Sequence, residues 1–283
     1  MSKKFLIIGS SGQLATEFIT YFSENDIEYS APQEKDLDIS DAAKLEAVIL
    51  QEKPDVILNC AAYNQVDKAE EEQSIAFKIN SQAVENLALL CKKQNVFLVH
   101  YSSDYVFDGK KGNLYIESDA VNPLNVYGKS KFKGEEAILK HLDKYLIFRL
   151  SWVIGCGSQN FLFKLQTWAK EKEVLHISAD EVSVPTYTED VVDVTLMSIE
   201  KQLSGLYHLT NSGYSSRYEL AKYFIVKMGL GNIVIPVPMS TFVTKAPRPA
   251  FSAMSNAKIS KQLGVTIPKW EYGVDRLIKI IKQ

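Results

Sequence analysis

Tyr127 and Lys131 stand four residues apart, a spacing that puts both side chains on one face of a helix. A phenol held beside an ammonium has its charged form favoured, so the pairing predicts a lowered Tyr127 pKa and a proton donor suited to neutral pH. The same spacing recurs at Tyr218/Lys222 and Tyr223/Lys227, where it reads as ordinary helix-surface pairing. The pair alone therefore selects nothing; what precedes it in the chain does. Upstream lies Ser103, followed by Asp104, at the end of an apolar run from Val96 to Tyr101. A hydroxyl and a carboxylate at the C-terminal end of a strand sit where open α/β sheets bind ligands. A hydroxyl, a phenol and an ammonium together can polarise a carbonyl and protonate its oxygen. Gly128, next to the tyrosine, is expected to keep room where reactants meet, despite a helix cost of roughly 1 kcal/mol relative to alanine.

The elements that must position these groups begin at the N-terminus. Phe5-Leu6-Ile7-Ile8 is a continuous apolar run ended by glycine, the pattern of a parallel strand buried on both faces. Gly9-Ser10-Ser11-Gly12-Gln13-Leu14-Ala15 then opens a helical pattern with Leu14, Phe18 and Phe22 on one face. Strand, glycine turn and helix start are the parts of a dinucleotide phosphate site, in which glycines let backbone approach a pyrophosphate and free N–H groups bind it. Ala15 stands where the dehydrogenase pattern has its third glycine. Val56-Ile57-Leu58 reads as another buried strand ending in Asn59-Cys60-Ala61-Ala62-Tyr63, whose small residues leave room for a cofactor to cross the sheet edge. Asp38 and Ile39 fall where a strand end could meet an adenine ring. The segment Pro32-Gln33-Glu34-Lys35 carries both charge signs and does not decide between NADH and NADPH.

The remaining chain is expected to supply Tyr145–Leu150 as a further strand and helices over 42–51, 160–172, 190–201 and 216–228. A long helix opened by Glu70-Glu71-Glu72 is expected to turn Ile75, Ile79, Leu87 and Leu90 inward. Alternating strands and helices predict an α/β, doubly wound parallel Rossmann sheet with a smaller α/β substrate-binding lobe. The division expected is 1–150 for the nucleotide-binding domain, with a helix returning near 188–202, and 151–283 mainly for the substrate-binding lobe. The 283 residues carry a net charge of −2 and a pI near 6.1, which argues against nucleic acid as a partner. No stretch reaches the length of a membrane span. Cys60, Cys91 and Cys156 follow no metal or disulfide spacing, as suits reduced thiols in a cytoplasm.

With these residues in place, the chain resembles the extended short-chain dehydrogenase/reductases and, among them, the dTDP-4-dehydrorhamnose reductase family. The resemblance is carried by Gly12-Gln13-Leu14, by Asp36-Leu37-Asp38-Ile39, and by Ala61-Ala62-Tyr63 with Val66-Asp67-Lys68-Ala69-Glu70. It continues through Ser103-Asp104-Tyr105-Val106-Phe107-Asp108-Gly109, Tyr127-Gly128-Lys129-Ser130-Lys131 and Arg149-x-Ser151-Trp152-Val153-x-Gly155 to Arg248-Pro249-x-x-Ser252.

The resemblance implies reduction, by NADPH or NADH, of the C4 keto group of a 6-deoxy nucleotide sugar, with dTDP-4-dehydro-L-rhamnose as the expected substrate. Tyr127 would be the proton donor, Lys131 would hold the nicotinamide ribose, and Ser103 would orient the carbonyl. Gly9, Gly12, Gln13 and Leu14 would lie on the pyrophosphate, Asp38 and Ile39 near the adenine, and Ala61, Ala62 and Tyr63 along the middle of the cofactor. Asp104, Trp152 and Arg248 would contact the substrate, Arg248 through its diphosphate. A homodimer is compatible with the resemblance. Mg²⁺ is not indicated by the sequence, and no residue is assigned to a metal. Two other readings share the pattern: a non-catalytic regulatory subunit like the methionine adenosyltransferase β subunit, and a sugar-nucleotide epimerase or dehydratase. Glu181, Ser183 and Arg217 depart from the glutamine, glycine and tryptophan usual in the family, and bear on substrate identity.

Overall fold

The computed structural model describes residues 3–283. Its centre is a six-stranded sheet in which every pairing is parallel. The strands are β1 (Phe5–Ile8), β2 (Tyr29–Ser30), β3 (Val56–Asn59), β4 (Phe97–Ser103), β5 (Tyr145–Leu150) and, after four short strands, β10 (Gly205–His208). The four are β6 (Val153–Ile154), β7 (Val174–Ser178), β8 (Val182–Ser183) and β9 (Thr186–Tyr187). The sheet order is β10-β5-β4-β3-β1-β2, so the direction of winding reverses between β1 and β3. That reversal is the crevice in which doubly wound folds bind ligands.

The apolar run of β1 serves both faces. Phe5 and Ile7 join one core with Phe18 and Phe22 of α1 (Gln13–Glu24), while Leu6 and Ile8 join another with Leu45 and Ile49 of α2 (Ala42–Glu52). Asp41 caps α2 by accepting from Lys44 N at 3.0 Å. The long acidic-headed helix expected after residue 70 is instead interrupted. It runs as α3 (Val66–Ala69), α4 (Gln73–Phe77), a π-turn at Lys78–Gln82 and α5 (Ala83–Gln94). Ile75 is consequently exposed rather than inward-facing. Inside the π-turn the buried Asn80 side chain bonds both the N–H and the C=O of Tyr63, and donates to Ser130 Oγ at 3.0 Å. The interruption thus ties the β3 edge to α6 (Val126–His141).

After β5 the chain builds a third core from α7 (Phe161–Glu171), β7 and later elements. It also returns to the first: α8 (Thr188–Glu200) packs on α1 and leads into β10. The remaining elements are β11 (Ser215–Ser216), α9 (Arg217–Met228), β12 (Ile233–Val237), α10 (Ala257–Leu263) and α11 (Trp270–Ile281). Ser216 and Glu219 form a reciprocal capping box at the start of α9.

Candidate active site

The glycine turn after β1 and the small residues after β3 meet at the sheet reversal. Gly9 adopts φ +83°, and a Cβ there would come within 2.7 Å of the Ala61 backbone, so no side chain fits. Gly12 caps α1, whose first N–H groups lack intrahelical partners and face the crevice as an anion site. A cleft of about 210 Å³ is lined by Gly9, Gly12, Asp38, Ile39, Ala61 and Ala62. Gln13 and Leu14 line the adjoining cleft of about 260 Å³, together with Ser103, Asp104, Tyr127, Lys131 and Trp152. The sequence-derived set is therefore brought together, apart from Arg248, which lines a neighbouring cleft, and Tyr63. Tyr63 does not line these clefts: it packs against the small cluster of Ala69, Ala76 and Val126, and its hydroxyl donates to Glu72 at 2.7 Å.

Asn125 starts α6 by accepting from Gly128 N at 2.8 Å, which presents Tyr127 and Lys131 from the first helical turns. Their electrostatics differ from expectation. Burial pushes the Tyr127 pKa up to about 12, opposed by the neighbouring Ser103 hydroxyl and reinforced by the Asp104 charge. Lys131 Nζ donates instead to the Tyr101 carbonyl at 2.6 Å, and burial lowers its pKa to about 8. The predicted lowering of the phenol by the ammonium is thus overturned, because desolvation dominates both groups. Gly128 also has a different reason from the one expected. A Cβ there would collide with the Tyr105 carbonyl, so the glycine admits the backbone of the strand-end turn against the helix.

Asp104 is buried, with 2% of its surface exposed. Its Oδ1 accepts from Ser103 Oγ at 3.2 Å, and its Oδ2 accepts from Ser183 Oγ at 2.8 Å and Ser252 Oγ at 2.5 Å. Burial still raises its pKa to about 6 against those three hydroxyls and the Arg217 charge. Ser103 Oγ additionally accepts from Tyr105 N at 3.2 Å. Trp152 holds φ +36°, an uncommon conformation for a bulky residue, at the mouth between the two lobes.

A larger cleft of about 480 Å³ opens beside Trp152. Aromatic walls come from Trp152, Phe161, Trp168 and Phe242; three fixed cations, Lys164, Arg217 and Arg248, face one carboxylate, Glu181. Arg248 Nη2 donates to Asp67 Oδ2 at 2.6 Å, and Lys245 pairs with Glu71, so this loop is strapped to the first lobe. Sequence reasoning missed Gln159 and Asn160, which line the same cleft as Tyr127 and Lys131. Asn160 Nδ2 donates to Gln13 Oε1 at 3.2 Å, joining the cofactor turn to the second lobe, a link that no local pattern announces. Among the described residues, no group of three or more His, Cys, Asp or Glu could hold a metal ion.

The RmlD substrate binding domain model matches residues 3–283. The chain is 33% identical to a dTDP-4-dehydrorhamnose reductase of Burkholderia thailandensis over 294 residues, covering 98% of each protein. The chain belongs to the dTDP-4-dehydrorhamnose reductase family. Among solved structures, that of a family member from Clostridium acetobutylicum superposes with a TM-score of 0.95 at 32% identity, over 99% of this chain and 100% of the other. The Bacillus anthracis reductase, solved in complex with NADP, also gives 0.95, at 31% identity and with both chains fully covered. The glycine cradle at Gly9 and Gly12, the small-residue edge at Ala61-Ala62 and the donors at the α1 terminus fit the dinucleotide of this reductase family.

Proposed function

We propose that this chain is an NAD(P)H-dependent oxidoreductase that reduces the C4 keto group of a 6-deoxy nucleotide sugar, dTDP-4-dehydro-L-rhamnose to dTDP-L-rhamnose. The observation that carries the reading is the convergence of Ser103, Tyr127 and Lys131 on one cleft continuous with the glycine turn. Family membership supplies the substrate class, because relatives of this chain at similar length are named for that reaction. When bound, the reduced nicotinamide supplies the hydride. Tyr127, protonated throughout the neutral range because burial holds its pKa high, gives its proton to the sugar's O4. Ser103 would turn its hydroxyl proton from Asp104, to which it donates in the free chain, to that oxygen when the sugar binds. Lys131 offers a buried cation to the nicotinamide ribose. Trp152 and Arg248 line the wide cleft where a nucleotide diphosphate has aromatic and cationic partners; Arg248 would exchange Asp67 for phosphate.

In this reading residues 1–150 carry the cofactor, with α8 and β10 completing that lobe, and 151–283 mainly cover the substrate. No helix among the described residues is long and apolar enough to cross a membrane. A cytoplasmic location accords with three free cysteines, and a homodimer can be checked by sedimentation. The test of the reaction is oxidation of NADH and NADPH by the purified chain against a panel of 4-keto nucleotide sugars. Turnover driven by the dTDP-linked 4-keto-6-deoxy sugar is expected. Cofactor binding without turnover on any of them would transfer the chain to the regulatory-subunit reading.

A further inference from the structure

We propose that this chain selects NADH over NADPH, and that Glu34 makes the selection at the adenosine end of the cofactor cleft. The inference rests on the nicotinamide-dependent reading above and adds the identity of the cofactor to it. Glu34 follows β2 and comes about 20 residues after the glycine turn, the position at which an acid takes a ribose 2′-hydroxyl or a cation takes a 2′-phosphate. The loop that carries it is held to the glycine turn, since Ser10 Oγ donates to the Pro32 carbonyl at 2.8 Å.

The charges of this cleft are one-sided. The only ionisable side chains lining it, apart from the buried thiol of Cys60, are Glu34 and Asp38. Asp38 is already engaged: its Oδ1 accepts from Ser40 N at 2.8 Å, and that bond holds its carboxyl below the usual range. Among the described residues Glu34 has no hydrogen-bonding or salt-bridge partner, so its carboxylate is free to accept from a vicinal diol. The neighbouring cations do not compensate. Lys44 Nζ donates to the Lys35 carbonyl at 3.3 Å. Lys35, Lys44 and Lys78 all lie outside the lining of the cleft. A 2′-phosphate placed here would face two carboxylates in the lining, with Lys44 and Lys78 acting on Asp38 only from outside it, whereas a 2′-hydroxyl would find an acceptor.

The test is binding of each reduced cofactor to the purified chain, followed by energy transfer from tryptophan to the nicotinamide at low ionic strength. NADH is expected to bind roughly tenfold more tightly than NADPH or better, with the gap narrowing as salt is raised. Glu34→Gln should narrow the gap by weakening NADH a few-fold, and Glu34→Lys should close or invert it. Equal or tighter NADPH binding by the wild-type chain, or an unchanged ratio in Glu34→Lys, would overturn the assignment. Since the readout is binding, a chain that prefers NADH yet reduces no 4-keto sugar sinks the reaction and leaves this inference standing. Equal kcat/KM with both cofactors sinks this inference and leaves the reaction standing.

Discussion

The guanidinium carbon of Arg217 lies 3.6 Å from the centre of the Trp152 ring. The same guanidinium reaches Glu181 at 3.5 Å and lies 4.9 Å from the Phe161 ring centre. Two departures from the family's usual residues, an acid and a cation lining the wide cleft, thus neutralise each other. Arg217→Met should cost more than Glu181→Gln. It removes the stacking on Trp152, worth about 1 kcal/mol, and leaves Glu181 unpaired in the cleft proposed for the nucleotide diphosphate. KM for the nucleotide sugar is expected to rise in Arg217→Met and to recover in the double variant. Steady-state kinetics of the four proteins forms the cycle, and strictly additive effects would show that the pair is uncoupled.

Tyr127→Phe removes the O–H and keeps the ring packed edge-on against Tyr105. A loss of roughly 10²–10⁴-fold in kcat is expected for a general acid, with cofactor affinity and melting temperature little changed. Turnover within tenfold of wild type would take the phenol out of the reaction.

Lys131 provides the alkaline limb of the pH profile. Its pKa is lowered from 10.5 to about 8, so the ammonium is present below that pH and is lost as pH rises through it. The kcat/KM for sugar reduction should therefore fall above about pH 8. Lys131→Met should be weakly active and lack this limb.

Asp104 gives a pH-dependent stability of known sign. Its folded pKa, about 6, lies above the ordinary 3.8. The favourable neutral state is fully populated below pH 3.8, and the cost of the buried carboxylate is complete above about pH 6. That cost is at most roughly 3 kcal/mol. Asp104→Asn should accordingly melt higher than wild type at pH 8, and the difference should shrink between pH 6 and 4. Ser252→Ala removes a hydroxyl that stabilises the anion and should move the Asp104 transition upward, as ¹³C NMR of labelled aspartate can follow.

Gly128→Ala tests the packing of α6 on the strand-end turn. Alanine gains about 1 kcal/mol of helix propensity. The added methyl must displace the Tyr105 carbonyl, and overpacking of this kind costs typically 1–3 kcal/mol. A net loss in chemical denaturation is expected, together with reduced kcat, since Tyr105 follows Asp104 and Ser103.

Much of this site was legible in the sequence because its parts are local. Glycines next to a short apolar run, small residues at a strand end and a serine ending a strand each state their geometry within a few residues, and they distinguish Tyr127 from Tyr218 and Tyr223. What escaped was set by contacts between distant segments. Tyr63 is tied through the buried Asn80 side chain of the π-turn to Ser130 on α6. The Tyr127 pKa depends on how many layers cover it, which spacing does not encode. The pairing of Glu181 with Arg217 joins residues far apart in the chain, and each taken alone read only as a departure from the family's usual residue.

The placement of β10 at the edge of the sheet has a consequence for synthesis. Its register, Gly205 beside Leu146 through His208 beside Arg149, leaves β5 without one neighbour until the ribosome has delivered residue 208. A nascent chain that has completed β5 therefore exposes an apolar strand edge until β10 follows at Gly205–His208. Such an edge is a template for pairing with other chains. The enzyme's window of vulnerability is thus written into its connectivity, and it closes with β10, before α9, α10 and α11 have been made.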